Sequence, residues 1–199
     1  AELARAVERR VFDDAFGNTP TVMAAEYDPY ERTSIFTCIL DHGRSLPVAA
    51  CRLIAPGGLG WKSLDDLARV WGTPGPMALH RLGQAVDARR LWDCASIAVE
   101  PSYRRGLIVQ SIFASVGILA AAADMDILVA MIDCRVLRIV QRLCGRPWRV
   151  LDGLDARTYL DSPATVPVWS DIAEYRRRLQ RHDPTTYRAM FDPTYFEPS

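Results

Sequence analysis

The chain has 199 residues, 49% of them apolar and 24% charged, which fits one domain spanning 1–199 and argues against a disordered chain. Lys plus Arg and Asp plus Glu each number 24, so the formal net charge is zero and there is no bulk electrostatic case for nucleic acid or an anionic membrane. Lys62 is the one Lys; every other basic residue is Arg.

In chain order, Leu3 to Phe16 puts Val7, Val11, Phe12 and Ala15 on one face of a predicted helix that stops at Gly17-Asn18. Thr19 to Glu31 reads as irregular, mixing the acids Glu26 and Asp28 with Tyr27 and Tyr30. Ser34 to Asp41 and Val48 to Ile54 form a predicted hairpin turned at His42-Gly43. Ser63 is expected to cap a short helix with Asp65 and Asp66 in its first turn. Gly72 to Arg90 reads as an excursion outside the core. Leu91 to Val99 is a predicted strand, Glu100 to Gly106 a polar turn, and Leu107 to Ala123 a helix apolar on nearly every side. Asp126 to Ile132 reads as a central strand and Cys134 to Cys144 as an amphipathic helix ending at Gly145. Trp148 to Leu151 and Thr158 to Val168 supply further strands, and 171–199 a helical tail packed on the rest. A hairpin followed by strand–helix–strand–helix–strand gives the α/β class with a mixed, mostly antiparallel central sheet flanked by helices.

The five cysteines Cys38, Cys51, Cys94, Cys134 and Cys144 make no CxxC pair, and most sit in apolar runs, the pattern of reduced core thiols in a cytoplasmic protein. His42, His80 and His182 are scattered, so no metal is expected. The apolar run Ile108 to Ala123 contains Gln110, Ser111 and Ser115 and is short for a membrane span. The N-terminus lacks the apolar stretch of a secretory signal.

The most informative stretch is Ile97-Ala98-Val99-Glu100-Pro101-Ser102-Tyr103-Arg104-Arg105-Gly106. A strand enters a tight turn with two arginines and a glycine, and a long helix follows. Helix-start N–H groups and the dipole's positive end suit a phosphate, with Arg104 and Arg105 adding charge; an ordinary solvated, capped loop is the other reading.

By strict alternation Leu91, Asp93, Ala95, Ile97 and Val99 share one strand face, leaving Asp93 a carboxylate on an apolar surface. Such a group must be paired or become neutral near pH 7. It is either a general base for an attacking ammonium or, the preferred reading, the ion-pair partner of Arg52. Glu26 and Asp28 are either acceptor-binding carboxylates or plain surface acids. Cys94 has no His near it in sequence and is not read as a nucleophile.

The Val99–Pro101–Tyr103-Arg104 stretch resembles the acyl-CoA-binding motif of the GNAT acyltransferases. From Arg104 the chain reads Arg-Arg-Gly-Leu-Ile-Val, so Leu107 and Val109 fill the family's two small positions and Gly106 is displaced. The succession Val11-Phe12, Glu26 to Tyr30, Arg52 to Pro56, Trp92-Asp93 and Ile97 to Val99 is similar to the acyl-homoserine lactone and N-acyl amino acid synthase branch. The lactone synthases' arginine after the Trp-acid pair is missing at Ser96.

The resemblance implies a GNAT-like domain that moves an acyl group, acetyl included, from acyl-CoA or an acyl carrier protein to a primary amine of a small molecule or peptide. It assigns Ile97, Ala98 and Val99 to the pantetheine arm, and Arg104, Arg105, Gly106, Leu107, Ile108 and Val109 to the phosphates. Asp93 and Glu26 are the candidate catalytic carboxylates. The family's leaving-group tyrosine falls on Gln141 and is absent. The alternative is a GNAT-fold module that senses acyl-CoA or docks a partner without catalysis.

Overall fold

A computed structural model describes residues 1–82, 86–104, 107–192 and 194–195. The N-terminal helix α1 (Glu2–Phe16) buries Ala4, Val7, Glu8 and Val11, and Gly17 ends it in the left-handed conformation. The segment expected to be irregular is instead helical. Thr19 accepts the Val22 N–H and Pro20 takes the first turn of α2 (Pro20–Tyr27), followed by a 3-10 stretch over Asp28–Thr33. Strands β1 (Ser34–Asp41) and β2 (Leu46–Ile54) form the antiparallel hairpin.

Helix α3 (Lys62–Trp71) follows, but Ser63 does not cap it: Trp61 stands at the cap position and no side chain serves there. The presumed excursion also contributes to the interior. Helix α4 (Gly75–Arg81) and the residue after it bury Ala78 and Leu82 against Leu64, Leu67 and Trp71.

Strand β3 (Leu91–Val99), helix α5 (Leu107–Ala122) and strand β4 (Ile127–Asp133) form a crossover that makes β3 and β4 parallel. Helix α6 (Cys134–Leu143) is capped by Asp133, which accepts the Arg135 and Val136 N–H groups. The strand expected over Thr158 to Val168 is a hairpin, β6 (Arg157–Tyr159) and β7 (Ser162–Asp171), reversing through Leu160 and Asp161, both at positive φ. The strand near Trp148 shortens to β5 (Arg149–Val150), and helices α7 (Ile172–His182) and α8 (Pro184–Phe191) follow β7.

The sheet order is β1-β2-β3-β4-β7-β5, with β6 also paired to β7. Every adjacent pair is antiparallel except β3–β4. One face carries the largest core, in which α5, α6, α7 and α8 meet Ala49, Cys51, Leu53, Trp92, Cys94 and Ala130. The opposite face packs α1 on Ala50 and Ala98, and α3 and α4 on Leu91, Ile127 and Val129. Helix α5 is covered twice because α8 lies on its outer side; a Cβ at Gly117 would strike the Met190 carbonyl. The five cysteines are free, three of them buried. Among the described residues no helix is long and apolar enough to cross a membrane.

Candidate active site

The site begins with one extra residue. The β2–β3 register runs Arg52↔Ser96 and then Leu53↔Cys94, so Ala95 is a bulge without a partner. A bulge shifts the alternation by one, and this overturns the strict period-two reading of the strand. Trp92, Cys94, Ile97 and Val99 face α5, whereas Leu91 and Ala98 join the clusters on the other face. Asp93 bonds Ser63 of α3 and Ser96 bonds Glu8 of α1, so both lie on that second face and Asp93 does not share a face with Ile97 and Val99.

Beyond the bulge β3 and β4 part. They pair at Leu91↔Ile127, Trp92↔Leu128 and Asp93↔Val129 and no further. The opening between them passes through the sheet as a cleft. Phe12 and Phe16 of α1 wall one side and Phe113, Val136 and Val140 the other; Tyr27, Ser96, Asp133, Tyr159, Ser162 and Thr165 supply polar atoms. A continuous apolar channel, sharing Phe12, Phe16, Ile97, Phe113, Val136 and Val140, leads out to Val99, Arg104 and Val109 near the start of α5.

Beyond Asp93 the backbone of β3 offers this opening an edge that no strand among the described residues pairs with. Glu100 N–H donates to the Val48 carbonyl at 3.0 Å, towards β2. Alternation turns Ala98 the same way and turns the N–H and C=O groups of Ile97 and Val99 towards the gap. The Val99 carbonyl there accepts a hydrogen bond from Arg104 Nε at 2.9 Å. Of the residues expected along the donor, Ile97, Val99 and Arg104 therefore meet the channel. Ala98 is buried under α1, Val109 forms part of the wall, Ile108 is half-buried and Leu107 is exposed. Arg105 and Gly106 lie outside the described residues.

The charged groups near the cleft do not pair as the sequence suggested. Arg52 does not meet Asp93. It forks onto Glu8, Nε to Oε1 at 2.9 Å and Nη2 to Oε2 at 2.6 Å, and its Nη1 donates to Glu31 at 2.9 Å and Ser34 at 3.3 Å. Ser96 on the cleft wall donates to Glu8. Asp93 is fully buried and outside the cleft lining, its oxygens accepting the Ser63 N–H at 2.6 Å and the Ser63 hydroxyl at 2.7 Å. Burial pushes its carboxyl up to about 6 against these two bonds. Ser63 is thus the partner of Asp93 and not a helix cap.

Glu26 is no plain surface acid. It accepts from Lys62 Nζ at 2.7 Å, and Lys62, 2% exposed, also donates to Asp66 at 2.5 Å and to the Tyr159 hydroxyl at 2.7 Å. The Tyr159 hydroxyl donates in turn to Asp66. Burial raises the Asp66 carboxyl, but the Lys62 charge and its hydrogen bonds outweigh that and leave it below the usual carboxylate range. Tyr27, inside the cleft, donates to the bulge carbonyl of Ala95 at 3.0 Å and stacks under both Arg52 and Lys62.

At the far end of the cleft stands Asp133. Burial raises its carboxyl, while the Ser162 hydroxyl at 2.8 Å and the capped amides of α6 hold it below the usual range. Gln141, at the position of the absent tyrosine, instead braces Trp148 through both its amide atoms.

Sequence reasoning did not single out Glu8, Tyr27, Lys62, Asp133 or Tyr159. Two signals were present: Glu8 sits beside Val7 and one turn after Ala4 on the buried face of α1, and Lys62 is the single Lys among arginines.

No family model matches the sequence, and neither does any curated protein. Solved structures do. FeeM, an N-acyl amino acid synthase from uncultured soil microbes, superposes with a TM-score of 0.61 at 14% identity, over 88% of this chain and 87% of that one. BjaI, a CoA-dependent acyl-homoserine lactone synthase solved with SAM and isopentyl-CoA, gives 0.53 at 14% identity, over 90% and 87%. Tetrahymena GCN5 gives 0.53 at 9% identity, over 86% and 87%. The parted β3–β4 pair and the shared architecture establish that this chain has the GNAT-type α/β fold, held in common with acyl-homoserine lactone and N-acyl amino acid synthases.

Proposed function

We propose that the chain transfers an acyl group from a pantetheine thioester to a primary amine of a small molecule or peptide, by direct attack. The carrying observation is the gap beyond Asp93↔Val129, an apolar channel with the Ile97 and Val99 backbone edge along one wall. A pantetheine arm is an extended chain of amides and pairs with such an edge as a further strand would. The Ile97 N–H then polarises the thioester carbonyl, where negative charge develops during attack. The aromatic and branched lining suits an acyl chain longer than acetyl.

Arg104 marks the phosphate end. Helix α6 adds exposed Arg135, Arg138 and Arg142 with no acidic residue, beside Val136 and Ile139 of the channel wall. This surface accepts either the phosphates of CoA or an acidic carrier protein. Asp133, the only carboxylate among the described cleft-lining residues, holds the acceptor's ammonium. Asp93, with both oxygens occupied away from the cleft, anchors α3.

FeeM and BjaI are named for acyl transfer, which supports this reading. The test is thermal stability with acetyl-, octanoyl- and dodecanoyl-CoA and the matching acyl carrier proteins, then thiol release with an amine panel. A donor present at about 100 times its Kd adds about 2.7 kcal/mol of stability. The longer chains are expected to raise Tm most, and Arg104→Glu to reduce the shift. Absence of any shift with every donor overturns the proposal. The second reading, a binding module without catalysis, is favoured by Gln141 in place of an acid; a Tm shift without thiol release selects it.

A further inference from the structure

We propose that Tyr159, Asp66, Lys62 and Glu26 form a proton path from the cleft to the opposite surface, which exports the proton that an ammonium acceptor must lose. The inference rests on the amine-acylation reading above. Acylating an ammonium by a thioester yields an amide, a free thiol and one net proton, and the apolar cleft offers that proton few places to go.

The path has two ends in two different openings. Tyr159 is part of the cleft wall, and it is the cross-strand partner of Ser162, the residue bonded to Asp133. The tyrosine therefore stands at the end of the cleft where an ammonium would be held. Glu26, Lys62 and Asp66 line a separate depression on the outside, with Tyr30, Asp65 and Arg69. Between the two openings the hydrogen bonds are unbroken, from Tyr159 to Asp66, Asp66 to Lys62 at 2.5 Å, and Lys62 to Glu26 at 2.7 Å.

The transfers balance without another reactant. The tyrosine oxygen takes the acceptor's proton as its own hydroxyl proton passes to Asp66. Asp66 returns a proton to Lys62 as Lys62 gives one to Glu26, and Glu26 releases it to water. Each group ends as it began, and the amine is left neutral to attack.

The choice of residue is the second support. The other 23 basic residues are Arg, and a guanidinium does not give up its proton at physiological pH, whereas an ammonium can give one and recover one. A purely structural ion pair at this position would be served by the residue the chain uses everywhere else.

The experiment measures kcat and its pH profile for thiol release with wild type, Lys62→Arg, Tyr159→Phe and Glu26→Ala, alongside the Tm shift given by the donor. Lys62→Arg keeps the charge, and the expected result is kcat lower by about 100-fold with the donor-induced Tm shift retained. Glu26→Ala, at the solvent end, folds even if Arg does not fit at 62; its kcat is expected to fall and to recover with added formate, which a structural role would not give. Wild-type kcat and pH profile in Lys62→Arg, or a Glu26→Ala loss that formate leaves unchanged, overturns the path and leaves acyl transfer standing. No thiol release from wild type itself overturns the acyl-transfer reading and the path with it.

Discussion

Two buried cations lie against one tyrosine ring and are held in different ways. Arg52 and Lys62 stand 4.6 and 5.1 Å from the centre of the Tyr27 ring. Around Arg52, the fork of the guanidinium matches the Glu8 carboxylate oxygen for oxygen, and Glu31 and Ser34 take the remaining donor. That geometry is rigid and its proton fixed. Around Lys62, two carboxylates and a phenol share one ammonium, and Arg69 gives both carboxylates a second cation. The first cluster ties α1 to the sheet; the second joins two openings. Burial of like charges does not dictate one role, and the head group and its redundancy decide.

The difference can be broken at its rigid end first. Arg52→Ala leaves Glu8, 1% exposed, as a buried charge without its cation, and is expected to cost about 3–5 kcal/mol in urea unfolding. Wild-type stability in that variant would remove the distinction. Next is Asp93, which fixes the start of the helix carrying Lys62. Its carboxyl sits at about 6 in the folded chain against 3.8 ordinarily, so the folded chain keeps a proton that the unfolded chain has lost. Stability therefore falls as pH rises from about 4 to about 6, by up to about 3 kcal/mol. Asp93→Asn is expected to flatten that part of the stability–pH curve; an unchanged slope assigns it to other groups.

At the Lys62 cluster the expected losses are smaller. Lys62→Met removes the shared ammonium, but Arg69 still reaches Asp66 at 2.6 Å and Glu26 at 3.2 Å, so about 1–3 kcal/mol is expected. A loss equal to that of Arg52→Ala would show the two clusters to be equally rigid. The smallest effect belongs to Glu31→Gln. Glu31 is a third exposed, and burial raises its carboxyl less than the Arg5 and Arg52 bonds lower it. Solvent screening leaves about 0–1 kcal/mol, measurable as a Tm difference that shrinks with added salt.

Most of the scaffold follows from local pattern. The hairpin, the mostly apolar α5 and the central β4 are set by runs of residues whose period is visible in sequence, and the strand–turn–helix from Ile97 to Val109 carries the family likeness. What escaped was decided at a distance or by a single residue. Helix α2 is short and has no apolar stripe for periodicity to detect. The Ala95 bulge adds one residue to β3, and everything beyond it changes face, which is why Asp93 was grouped with Ile97 and Val99. Arg52 found Glu8, 44 positions away, and not the nearer-seeming Asp93. Tyr159 reaches Lys62 across 97 positions, a contact that no local window contains.

The seat of α8 on Gly117 bears on when the protein can fold as it is made. Helix α5 is apolar around most of its circumference, and the side that α8 covers stays open to water until residues 184–191 arrive. During synthesis that helix must wait, with the sheet already available on one side and nothing on the other, while more than sixty further residues leave the ribosome. At roughly 5–20 residues per second the wait is several seconds. A nascent chain in that interval presents the Gly117 side of α5 to any chaperone within reach, so the arrival of α8 governs how long that surface is exposed to aggregation.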